Sequence, residues 1–112
     1  MSKYDVRKRI NDCLNLVDKS FKLVPDYVKP HIKNSDEHEM AKFRKCLELM
    51  REGKEIYTEV RFKNGKGRCD ILVPSEFKVY EIVCSETERE SLSKLERYPE
   101  ELDVVFLKVS EC

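Results

Sequence analysis

Acidic side chains fall where strand geometry would gather them. Asp70 lies in Gly67-Arg68-Cys69-Asp70-Ile71-Leu72-Val73 and Glu81 in Lys78-Val79-Tyr80-Glu81-Ile82-Val83, two runs rich in β-branched and aromatic residues and bordered by turn residues. Glu59 belongs to a third run, Glu55–Lys63, joined to the Asp70 run by Asn64-Gly65, the strongest short hairpin signal. A two-residue turn there sets Lys63 opposite Lys66, Arg61 opposite Arg68 and Glu59 opposite Asp70. A short connection through Pro74-Ser75-Glu76 then sets Asp70 opposite or diagonal to Glu81. Carboxylates on adjacent strands repel and lose solvation when covered, so the cluster calls for a compensating cation or a metal ion.

Side chains alternate across a strand, which places Glu59, Arg61, Arg68, Asp70, Glu81 and Val83 on one face. Ile56, Val60, Phe62, Cys69, Ile71, Val73, Tyr80 and Ile82 form the other, a core face. Two readings of the acid face stay open. Either it is solvated, with Arg61 and Arg68 neutralising the acids, as antiparallel sheets permit, or it is a site. The basic cluster Arg61, Lys63, Lys66 and Arg68 at the hairpin is either a solvated turn or a phosphate-contacting loop.

Helices must frame these strands. Residues 2 to about 23 read as an amphipathic helix, Val6, Ile10, Cys13, Leu14, Val17 and Phe21 recurring at three and four. It either docks on the body of the domain or lays its basic faces on phosphate backbone. Val24 to Lys33, with Pro25 and Pro30, reads as a linker. Asn34 or Ser35 caps a second helix that runs to about Arg51 and ends at Gly53. Its expected packing stripe is Met40, Phe43, Cys46, Leu47 and Met50. Glu39 falls inside that stripe, where an unpaired carboxylate is costly, whereas His38 lies off it and reads as exposed. A salt bridge from Glu39 to Arg61 or Arg68 is the structural alternative. Ser85-Glu86-Thr87-Glu88 is a capping box that opens a third helix with Leu92, Leu95 and Tyr98 inward and Lys94 at the stripe's edge, stopping at Pro99. Asp103–Ser110 reads as a buried strand, reached by a helical crossover and so parallel to the Glu81 strand.

The chain has 112 residues, enough for one domain with a modest core. Its charge balances to zero, so no global field draws it to nucleic acid or anionic membrane, and binding of that kind must come from local patches. The absence of an apolar run of membrane-spanning length or of a signal core implies a cytoplasmic protein with no membrane partner. Five cysteines without Cys-x-x-Cys spacing argue against structural zinc and for reduced thiols.

The order helix, three-strand meander, helix, strand, with Glu39 in the first of these helices, Cys69-Asp70 in the second strand and Glu81-Ile82-Val83 in the third, resembles the PD-(D/E)XK nuclease superfamily. The resemblance covers about Ser35 to Val109. It implies an α/β, αβββαβ restriction-endonuclease-like core over residues 34–112, a mixed four-stranded sheet flanked by helices, preceded by an N-terminal helical extension and linker over 1–33. It implies metal-assisted hydrolysis of DNA, with Glu39, Asp70, Glu81 and the backbone of Ile82 holding Mg²⁺ or Mn²⁺. It also implies a possible homodimer cutting two strands, in a viral or mobile-element setting. Lys94-x-x-x-Tyr98 is similar in spacing to the Gln-x-x-x-Tyr element of some branches. The family's lysine would stand at position 83, where this chain has Val83. Three explanations compete: Lys94 replaces it as the catalytic cation, Arg68 does, or the domain binds nucleic acid or protein without turnover. An unrelated α/β interaction domain with surface salt bridges is the further alternative.

Overall fold

The hairpin after the first strand fixes the register from which the sheet grows. In the computed structural model, which describes residues 2–65, 67–84 and 88–109, β1 (Tyr57–Arg61) pairs antiparallel with β2 (Arg68–Val73). Arg61 stands opposite Arg68 and Val60 opposite Cys69, the expected alignment. A β-turn over Phe62–Gly65 makes the reversal. Gly65 N–H donates to the Phe62 carbonyl at 3.0 Å, and Gly65 takes the positive φ of 70° that suits a residue without Cβ. The expected pairing of Lys63 with Lys66 lies outside the described residues.

A 3₁₀ turn at Pro74–Glu76 leads into β3 (Lys78–Val83), antiparallel to β2 with Ile71 opposite Tyr80 and Val73 opposite Lys78. Carried one step further, this register sets Asp70 opposite Glu81. Helix α3 (Glu88–Leu95) crosses to β4 (Asp103–Lys108), which pairs parallel with β3, as a crossover connection demands. With α1 (Lys3–Leu14) and α2 (Asp36–Arg51), the architecture is α/β. Among the described residues it has three α-helices and one mixed four-stranded sheet in the order β1-β2-β3-β4. None of the helices among the described residues is long and apolar enough to cross a membrane.

Strand alternation fails in the middle of the sheet, where the acids are. Tyr57 and Val60, three residues apart, pack in one hydrophobic cluster, as do their partners Leu72 and Cys69. Ile71 instead packs with Tyr80, Cys46 and Leu49 under α2. The break coincides with Glu59, which holds a left-handed φ of 54°, a costly conformation for a residue with a side chain. Both faces of β2 and β3 are therefore buried, and neither is the solvated face that strict alternation allows. Glu59 and Asp70 are turned toward α2.

The helices depart from their expected faces in instructive ways. Helix α2, capped by Ser35 as expected, buries His38, Lys42, Cys46 and Leu49, while Met40 and Phe43 are half exposed. Its packing stripe is rotated because the acids beneath it attract polar partners. Helix α1 ends at Leu14, nine residues short of the expected Leu23. Val17 then forms a β-bridge with Phe62, and Leu16 O and Asp18 N bond to Lys63 N and Arg61 O. The N-terminal segment thus closes the β1 edge. Two of its basic residues are spent on docking: Arg7 bonds Glu55 at 2.7 Å, and Arg9 bonds the Ser75 carbonyl at 2.8 Å. In α3, Leu92 and Leu95 are largely exposed and only Tyr98, beyond its end, is buried. The capping box expected before α3 falls mostly on residues 85–87, outside the described residues. β4 is a half-buried edge strand, not a covered one. Cys13, Cys46 and Cys69 are buried free thiols. Cys84 is disulfide-bonded, so the expectation of reduced thiols fails there.

Candidate functional site

Where Asp70 faces Glu81, side chains replace ladder bonds between β2 and β3. Asp70 N–H donates to Glu81 Oε1 at 3.1 Å, and Ile82 N–H donates to Asp70 Oδ2 at 2.8 Å. Both acids are buried, and with Ile82 they line a cleft of about 270 Å³ shared with Asn34, His38, Arg68, Cys84 and Lys94. The Tyr98 hydroxyl donates a short hydrogen bond to Glu81 Oε1. Burial, and then the charge of Asp70, push Glu81 up to about 7, against the help of Tyr98, the Asp70 N–H and Lys94. Burial and Glu81 also push the Tyr98 hydroxyl upward, so it stays a donor. Glu81 held this way opposes folding once it is ionised.

Glu39 approaches this pair only through an intermediary. Its carboxylate accepts from His31 N–H at 2.6 Å, Asn34 at 3.2 Å and Lys42 Nζ at 2.8 Å. Burial alone would raise Glu39, but Lys42, the His31 N–H, His38 and Asn34 bring it down to about 2. His38 stands between Glu39 and Asp70, Nδ1 2.8 Å from Glu39 Oε2 and Nε2 3.4 Å from Asp70 Oδ2. Its contact with Asp70, and with Glu39 behind it, raises the ring's pKa against the opposing effect of burial. The expectation of an exposed His38 is therefore corrected: periodicity of apolar residues carries no term for an imidazole drawn in by two acids. As the side chains stand, no three His, Cys, Asp or Glu among the described residues are gathered closely enough to hold a metal ion.

Lys42 is the largest functional group that the apolar pattern missed. Its side chain is 1% exposed, and its ammonium bonds Glu39 and the Lys29 carbonyl, each at 2.8 Å. It also lies 4.0 Å from Glu59. Glu59, with a side chain 4% exposed, accepts no hydrogen bond among the described residues and is flanked instead by Lys42 and by Arg68 at 3.6 Å. Burial raises it, Lys42 opposing. A signal existed in Glu39-x-x-Lys42, an i,i+3 pair, but only the fold reveals that it is covered.

The remaining expected residues divide. Lys94 lines the cleft, as the idea of a relocated lysine requires. Arg68 also reaches it, though its guanidinium is engaged with Glu59. Val83 is buried aliphatic packing. In the basic cluster, Arg61 and Lys63 are exposed, Arg61 lying 5.4 Å from the Phe21 ring centre, and Lys66 is outside the described residues. The structure thus brings together Asp70, Glu81, Ile82, Lys94 and Arg68, and sets Glu39 one imidazole away. No protein-family model, curated protein or solved structure matches the chain.

Proposed function

We propose that the chain is a metal-dependent nuclease with a restriction-endonuclease-like core, hydrolysing DNA phosphodiester bonds in the cleft between β2, β3 and α2. The observation that carries this reading is the buried Asp70–Glu81 pair, which interrupts its own sheet and opens into a cleft. Apolar residues would complete the ladder at lower cost, so the acids answer a need other than folding. The donor set fits a divalent cation: two carboxylates and the Ile82 backbone are the hard oxygens that Mg²⁺ and Mn²⁺ prefer. His38 adds a nitrogen whose other side is held by a carboxylate, the arrangement that orients ligating imidazoles.

Asp70 and Glu81 would hold the ion, with Tyr98 fixing one Glu81 oxygen and leaving the other for coordination. Mg²⁺ or Mn²⁺, when bound, supplies a lowered pKa for the attacking water and neutralises charge on the leaving oxygen. Lys94 takes the part of the lysine absent at position 83, countering negative charge on the scissile phosphate. Arg68 and the exposed Arg61 and Lys63 would contact flanking phosphates. In this reading Glu39 positions His38 in place of binding the metal itself.

A second reading, a nuclease-like domain that binds nucleic acid or protein without turnover, is favoured by the buried aliphatic Val83. Incubation with branched, single-stranded and duplex DNA in Mg²⁺ or Mn²⁺ separates the two. The nuclease reading requires cleavage that Asp70→Ala and Glu81→Ala abolish. Binding without cleavage supports the second reading, and cleavage that survives both substitutions removes the first.

A further inference from the structure

A second concavity adjoins the acid cleft. It lies along β1, under the segment between Asp18 and His31, and encloses about 330 Å³, within the size range of small-molecule sites. Arg68 lines both concavities, so they share a wall. Phe21 and Tyr27 stand at this second site, each 54% exposed, although rings of that size usually give their area to a core. The Arg61 guanidinium lies 5.4 Å from the Phe21 ring centre, a cation over an aromatic face.

Charge narrows the ligand. Lys22, Lys29, Arg61 and Arg68 line the site against the carboxylates of Asp18 and Glu59. Four cations thus face two carboxylates, and Glu59 lies in addition 4.0 Å from Lys42, which is outside this lining. The unspent charge is positive. A ligand that satisfies half-exposed aromatic rings and surplus cations together carries a flat ring and a phosphate. Bases within a duplex are stacked on one another and cannot offer a face to a protein ring, whereas unpaired bases can.

We infer that this pocket binds an unpaired nucleotide, its base against Phe21 or Tyr27 and its phosphate on Arg61 and Arg68, next to the phosphate presented to Asp70 and Glu81. The placement beside a scissile phosphate rests on the nuclease reading; binding of the unpaired nucleotide does not. An acidic peptide would satisfy the cations but not the rings, and it serves as a competing probe.

The test measures binding in EDTA, where no turnover occurs, by fluorescence anisotropy of a labelled oligothymidylate. An abasic strand of equal length, a duplex and a polyglutamate peptide serve as comparisons. Phe21→Ala with Tyr27→Ala is expected to weaken the oligothymidylate about tenfold or more and to leave the abasic strand within about twofold, since only stacking is lost. Arg61→Ala is expected to weaken intact and abasic strands alike and to reduce the salt dependence of both. The inference is overturned if the ring substitutions weaken intact and abasic strands equally or not at all. It is also overturned if polyglutamate binds in a ring-dependent way, or if the oligothymidylate does not bind. Ring-dependent binding without metal-dependent cleavage sinks the nuclease reading and leaves this one standing; cleavage with ring-independent binding does the reverse.

Discussion

Replacing Glu81 by glutamine is expected to make the metal-free protein more stable at pH 8. Burial and the neighbouring Asp70 raise Glu81 from 4.5 to about 7. A carboxyl whose pKa is raised on folding costs nothing while protonated and opposes folding once ionised, so the cost appears as pH climbs from 4.5 and is complete above 7. At about 1.4 kcal/mol per pH unit it reaches about 3 kcal/mol, a cost that belongs to the Asp70–Glu81 pair jointly. Glutamine keeps an oxygen for the Asp70 N–H and the Tyr98 hydroxyl, but brings an amide NH₂ that must find a partner. The net gain at pH 8 is therefore about 1–2 kcal/mol; at pH 5 the ionisation cost has fallen by about 2.5 kcal/mol, so the sign reverses and glutamine is the less stable by about 1 kcal/mol. Urea denaturation of both proteins in EDTA at the two pH values measures it. His38, raised by Asp70 and Glu39, loses its own stabilisation over the same rise in pH. The difference between the two proteins, rather than the wild-type curve, is thus the quantity to read. A Glu81→Gln protein less stable than wild type by the same amount at both pH values would refute the claim that this acid is held against the interest of the fold.

Three further outcomes follow from the same network. Lys42→Met is expected to cost about 2–4 kcal/mol in urea denaturation, because it leaves Glu39 and Glu59 without their buried cation; a cost below about 1 kcal/mol would show the ammonium to be dispensable. Glu39, lowered to about 2, contributes stability that is present above 4.5 and lost as pH falls toward 2. Since its side chain is 21% exposed, that contribution is about 2 kcal/mol. Glu39→Gln should flatten the acid limb of the stability curve, and an unchanged limb would contradict this. Lys94→Ala is expected to lower the cleavage rate about 100-fold or more while metal affinity stays within a few-fold; an unchanged rate would return the missing cation to Arg68 or to no residue at all.

Much of the sheet was legible because strand pairing follows from turn chemistry. Asn64-Gly65 aligns Arg61 with Arg68, as the register has it, and the short Pro74-Ser75-Glu76 connection sets Asp70 opposite or diagonal to Glu81, of which the register favours the first. The crossover after Val83 made β4 parallel. What the sequence hid lies where polar groups override apolar periodicity. Met40 and Phe43 outrank His38 and Lys42 on any hydropathy scale, yet the latter two are buried, His38 facing Asp70 and Lys42 facing Glu59 on the sheet beneath. Glu59 holds a left-handed φ there, which no propensity assigns to glutamate. The early end of α1 was hidden for a similar reason: Val17 continues the helical stripe but gains more by bridging to Phe62 at an otherwise open strand edge.

If Asp70 and Glu81 form a cation site, calorimetric titration with Mn²⁺ reads it without reference to any substrate. The wild-type protein is expected to show saturable binding that is lost in Asp70→Asn and Glu81→Gln proteins whose folding is intact. Wild-type protein that binds no Mn²⁺, or variants that bind it as tightly as wild type does, would contradict the account.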